Sequence, residues 1–152
     1  MKILSNPICK REIFARFEKI GPETPRQWGR MTSGQMICHL NDAFLGVMGH
    51  KPAKAARGFS FWRLTMPIAL YAPLKWPQGV PTRPEFDQQI GGTPPSEFSA
   101  DMQRLVATMA QFLAQPRAFE FQPHPMFGVL SEKQWMRWAY LHTDHHLRQF
   151  GA

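Results

Sequence analysis

Cysteine is scarce: Cys9 and Cys38 are the only two in 152 residues. Two cysteines are too few for a zinc ribbon or a disulfide scaffold. The chain has no long apolar run. Its most apolar stretch, 59–74, holds Arg63 and two prolines and is too short to span a bilayer. The opening MKILSNPICKREIF has no long apolar core and no small-residue cleavage site. These absences set the expectation of a reduced, cytoplasmic protein that does not engage a membrane. Acidic residues are few, eleven against eighteen Lys and Arg, and the net charge is +7. Such an excess raises nucleic acid or an anionic substrate as partners. The basic residues are scattered, however. The densest group, Lys51, Lys54, Arg57 and Arg63, is not interleaved with aromatics as a nucleic-acid platform would be. A solvated basic surface is the simpler reading, and nucleic acid is not an expected partner. Internal repeats and low-complexity tracts are also absent, which excludes a solenoid.

Apolar residues make up 43% of the chain and aromatics 12%. This is enough to bury the core of one domain, 1–152. The fourteen prolines punctuate loops. Residues 6–20 read as a first helix, with Asn6 as N-cap, Pro7 at the first turn and an apolar face of Ile8, Ile13, Phe14, Phe17 and Ile20. A second helix starts at Thr32 or Ser33, where Thr32 and Gln35 match a capping box, and runs to about Met48. Met36, Leu40, Ala43 and Val47 form its inward stripe, widened by Ile37, Phe44 and Met48. A short helix over 59–74 is expected to break or bend at Pro67. A long irregular connection follows, pinned to the body by Trp76 and Phe86. Residues 96–115 read as a third long helix, with Phe98, Met102, Leu105, Val106, Met109, Phe112 and Leu113 at helical spacing. Ser131 and Gln134 open the last helix with a second capping box, and it runs to Gln149. The sum is an all-α chain: four long helices and one short one, packed most simply as a four-helix bundle with a long crossover loop.

The last helix concentrates the chemistry. Trp135, Trp138, Ala139, His142, His146 and Gln149 fall along one stripe, aromatic at its start and imidazole-rich at its end. His142 and His146 are four apart and share a face; His142 and His145 are three apart, and spacing alone does not choose between them. An i,i+4 histidine pair is also common on ordinary helices, and zinc usually needs at least three protein ligands. His39 sits among the core positions of the second helix. It is read either as a core histidine bonded to a carbonyl or as the missing ligand. In a bundle, His39 can meet His142 and His146 between facing helices. Three imidazoles leave a position open for water or substrate, and they suit Zn, Ni, Cu or Fe. Asp42 lies one turn from His39, and Asp144 forms an i,i+4 pair with Arg148, read as exposed; a structural role is preferred for both. Trp76, Trp135 and Trp138 either line a pocket or fill the core. Lys51, Lys54 and Arg57 either receive an anionic cofactor or belong to a solvated loop. Cys38 sits about 100° round the helix from His39 and is read as a packing residue.

Two stretches, WGRMTSGQMICHLNDAF and HPMFGVLSEKQWMRWAYLHTDHHLRQFG, resemble the DinB/YfiT-like family of metal-dependent bundle proteins. The loop LKWPQGVPTRPE is similar to one found in a particular branch of it. The resemblance covers about residues 11 to 151. It implies one metal ligand on the second helix and an H-x-x-x-H pair on the last, with a Gln soon after, which map here to His39, His142, His146 and Gln149. His145 then becomes an extra neighbour, behind the ligands or exposed, and Asp42 and Gln149 fall in the supporting shell. Leu147-Arg148 stands where many members have Arg-Gly. The resemblance also implies a divalent ion, Zn or Ni foremost, and a homodimer. The activity implied is a transferase or isomerase reaction that uses a low-molecular-weight thiol such as bacillithiol, mycothiol or glutathione on a small molecule. The same site can also activate water for hydrolysis. The alternative is a non-catalytic metal-binding or dimerising module.

Overall fold

The computed structural model describes residues 1–53 and 59–152, with the side chains of 59–63 set aside. Of the basic residues singled out in the sequence, Lys54, Arg57 and the Arg63 side chain lie outside the described residues. Among those described, the fold is helical, with no strand: α1 (Pro7–Phe17), α2 (Ser33–Val47), α3 (Phe59–Tyr71), α4 (Phe98–Leu113) and α5 (Glu132–Gln149), plus one 3₁₀ turn at Pro84–Phe86. None of these helices is long and apolar enough to cross a membrane.

Local sequence explains most helix boundaries. The Asn6 side chain accepts from the amides of Ile8 and Cys9, and Pro7 needs no partner there. Thr32 with Gln35 and Ser131 with Gln134 form complete capping boxes, so α2 and α5 start where their sequences place them. Several boundaries and faces differ from expectation. Helix α1 ends at Phe17, because Lys19 and Ile20 turn back on Arg16 and Phe17 in tighter three-residue bonds. Its buried face is Cys9, Ile13 and Phe17, while Ile8 is 73% exposed. Helix α3 continues through Pro67, which is exposed, to Tyr71. Helix α4 begins at Phe98 because the carboxylate of Glu97 caps the amides of Ser99 and Ala100; its Val106 faces outward.

Helix α2 packs along α4, and α1 along α5; α5 also meets α2 and α3. The core between them is rich in large side chains, with Phe44, Phe112, Trp135, Leu40, Leu105, Met109 and Leu147 essentially inaccessible. Burying each such residue contributes about 1.5–3 kcal/mol. The connection after α3 is tied down as its aromatics suggest. The Trp76 indole donates to the carbonyl of Ala69 at 2.7 Å. Phe86 is buried against α2 at Gly46, where a Cβ would lie 2.8 Å from its ring. Only a residue without a side chain lets the 3₁₀ turn come this close, and the turn's backbone becomes part of the site.

Candidate metal centre

Helices α2 and α5 bring three histidines to one point. The ring atoms offered by His39, His142 and His146 all lie within 4.8 Å of one another. The Nε2 atoms of His39 and His142 are 3.2 Å apart. Two nitrogens of a tetrahedral zinc site, each at 2.0–2.1 Å from the ion, are about 3.3 Å apart. The His39–His142 pair already has this spacing, and the third nitrogen, within 4.8 Å of both, would move closer around a divalent ion.

Two of the rings are held in the tautomer that a metal requires. The Nδ1 of His39 lies 2.9 Å from the carbonyl oxygen of Phe86. A carbonyl only accepts, so Nδ1 carries the proton and Nε2 keeps its lone pair. For His146 the reasoning passes through Gln149. The Gln149 amide nitrogen donates to the carbonyl of Trp28 at 3.0 Å, which turns its oxygen towards His146 Nδ1 at 2.9 Å. Again Nδ1 is the donor and Nε2 is free. Gly29 makes this possible: at φ +79° it adopts a left-handed conformation, and a Cβ there would sit 2.5 Å from the Gln149 amide nitrogen. The third ring has no such lock on its outer nitrogen, since His142 Nδ1 is buried and has no partner among the described residues. In the metal-free protein His142 can donate from Nε2 to His39; an ion requires that proton on Nδ1 instead.

Burial keeps all three rings neutral. It lowers the pKa of His39 and pushes those of His142 and His146 well below the ordinary value. For His142 the neighbouring His146 and His39 add to the effect, and for His146 His39 does. Neutral imidazole is the form that binds metal.

The cluster forms part of the wall of a cavity of about 770 Å³, within the usual size range for small-molecule sites. Trp76, Trp135 and Trp138 all line it, as does His145. Trp138 lies 4.7 Å from the His142 ring, and Trp76 lies 6.1 Å from it. His145 stands beside the centre, its ring 5.2 Å from that of His146 and 6.0 Å from Trp28. Asp42 bonds none of the three histidines. Its buried carboxylate accepts from the Thr93 amide and hydroxyl and from Gln88, and pairs with Lys51 at 3.0 Å. It thus anchors the 84–93 strap whose Phe86 carbonyl holds His39. Asp144 is only partly accessible: Arg16 of α1 joins Arg148 in binding it. Cys38 is buried, and burial, then nearby Asp101, pushes its thiol up to about 12. It cannot supply a thiolate at neutral pH.

The family described as protein of unknown function DUF1569 matches residues 11–152. The chain belongs to this family. No curated protein and no solved structure matches it. For this member of DUF1569, the site's supporting contacts divide by how visible they are in sequence. Gln149 stands three residues after His146 and is readable as a partner. Phe86 and Trp28 contribute only carbonyl oxygens, which any residue carries, so no side-chain pattern points to them.

Proposed function

We propose that the protein is a metal-dependent enzyme acting on a small molecule, with His39, His142 and His146 as metal ligands. The observation that carries this reading is the pair of tautomer locks. Phe86 and Gln149 commit His39 and His146 to the Nδ1-protonated form, which leaves the Nε2 lone pair of each free for an ion. A core role accounts for each bond taken singly, but not for three rings whose nitrogens converge within 4.8 Å of one another. We further propose a four-helix bundle of the DinB/YfiT type, dimeric, with Zn or Ni as the ion.

A divalent ion held there would keep a bound thiol or water deprotonated at neutral pH. The three imidazoles are neutral ligands, so they would leave the ion its full positive charge for that purpose. The tryptophans of the wall would exclude water and receive the apolar body of a substrate. Cys38 and the buried Cys9 are both remote from this role, so a thiol nucleophile would be a small molecule from solution. Thiol transfer is the reaction we place first, on the likeness to DinB/YfiT-type proteins, and metal-assisted hydrolysis second.

Metal content by mass spectrometry, on protein purified without a histidine tag, tests the reading. Near one equivalent per chain is expected. Its absence, even after incubation with Zn or Ni, would overturn the proposal.

A further inference from the structure

His124 is not one of the clustered histidines, yet it lines the same cavity. It lies between Pro123 and Pro125 in the loop before α5, only 9% exposed. Its Nδ1 accepts from the backbone amides of Met126 and Phe127, both at 3.1 Å. Its own backbone exchanges two hydrogen bonds with Gly128, at 2.7 and 2.9 Å. The ring stacks on Phe127 at 4.4 Å and 13°, and it meets Trp135 and Trp138. Position, tilt and tautomer are all fixed.

The consequence is chemical. Two amide donors at Nδ1 require a lone pair there, so the ring proton is on Nε2. No described residue accepts from that Nε2–H. Burial, with the charge of Arg83 adding to it, pushes the His124 pKa down to about 3, so the ring stays neutral. A second donor in the same wall is also without a partner: the indole N–H of Trp135, a residue 1% exposed. Among the described residues, the two cations that line the cavity are already engaged, Lys51 by Asp42 and Arg83 by Glu85. The described part of the interior thus offers neutral donors set in apolar surface. Such a setting suits an uncharged acceptor and penalises a desolvated carboxylate.

We propose that His124 is a ligand-binding residue, whose Nε2–H donates to a carbonyl-type oxygen of an otherwise apolar molecule in the cavity. The inference rests on the cavity being a small-molecule site and not on the metal. A neutral imidazole donor strengthens its hydrogen bond as negative charge builds on that oxygen, without first surrendering a proton. An aryl ketone or a comparable carbonyl compound is the class of ligand that fits.

Acetophenone and α-methylstyrene test this, since they share a shape and differ in the acceptor oxygen. Both are titrated by NMR into the wild type, His124→Asn and His142→Ala. Asparagine keeps an acceptor near the place of Nδ1 for the two amides and has no donor at the place of Nε2, its own N–H₂ lying nearer the backbone. The preference for the ketone over the alkene is expected to be about three- to tenfold greater in the wild type than in His124→Asn. The ketone should also shift the His124 Nε2–H resonance. His142→Ala should retain the preference, which separates this proposal from the fate of the metal centre. An Nδ1-protonated His124, an equal preference in His124→Asn, loss of the preference in His142→Ala alone, or failure of the ketone to bind at millimolar concentration would each overturn it.

Discussion

His142→Ala is expected to abolish metal retention while leaving the fold intact. Structural zinc sites with four ligands bind with apparent free energies of about 10–16 kcal/mol, so one ligand is worth roughly 2.5–4 kcal/mol. That corresponds to a loss of about 10²–10³ in affinity. His142 is the ligand to choose because it is the least tied. Removing His39 would strand the Phe86 carbonyl, and removing His146 would strand the Gln149 amide oxygen. Removing His142 strands no backbone or amide group and costs only its Nε2 contact with His39, its Nδ1 having no partner among the described residues. Gln149→Leu supplies the graded comparison. It leaves all three ligands and frees the His146 ring, so the expected loss is smaller, about 10–100-fold. Competition against a chromophoric chelator measures both. Equal affinity in wild type and His142→Ala would eliminate the three-histidine site.

The metal-free protein is expected to lose stability steeply below pH 6.5. Burial lowers the folded-state pKa of His39, His124, His142 and His146. The unfolded chain therefore takes up protons first as pH falls through about 6.5, and the equilibrium shifts towards it. Stability is fully present above that value and declines until the folded rings also protonate, for His124 not until about 3. Each ring contributes up to about 1.4 kcal/mol per pH unit, and four together about 5 kcal/mol per unit at the steepest. Against a typical total of about 5–15 kcal/mol, such a decline removes a large fraction of the stability. Urea titrations followed by tryptophan fluorescence at pH 8, 6.5, 5.5 and 4.5 measure the slope. A flat profile between pH 7 and 4.5 would mean that the rings are not held neutral. Because they are neutral before binding, metal uptake at pH 7 should release few protons.

The helical frame was legible where local rules decide it. The capping boxes of α2 and α5 and the stripe Met36, Leu40, Ala43, Val47 depend on residues close in sequence. The face of α1 was less so, because Ile8 and Cys9 are both plausible core residues until the packing of α5 is known. Spacing left His145 and His146 equivalent; the Gln149 amide distinguishes them, and its orientation depends on a loop more than a hundred positions away. Asp42 was legible as a neighbour of His39 but not as the anchor of the strap. Its partner Thr93 lies in the irregular segment, where no periodicity gives the register.

The Phe86 carbonyl makes ion and strap mutually dependent. By reciprocity, whatever affinity the 84–93 strap adds to the metal, the metal returns as strength of the strap's attachment. An ion on His39 would thereby slow hydrogen exchange at the Thr93 amide, which bonds Asp42 at 2.7 Å. The cavity wall would be tightest when the centre is loaded, and the empty protein would be the more easily entered form.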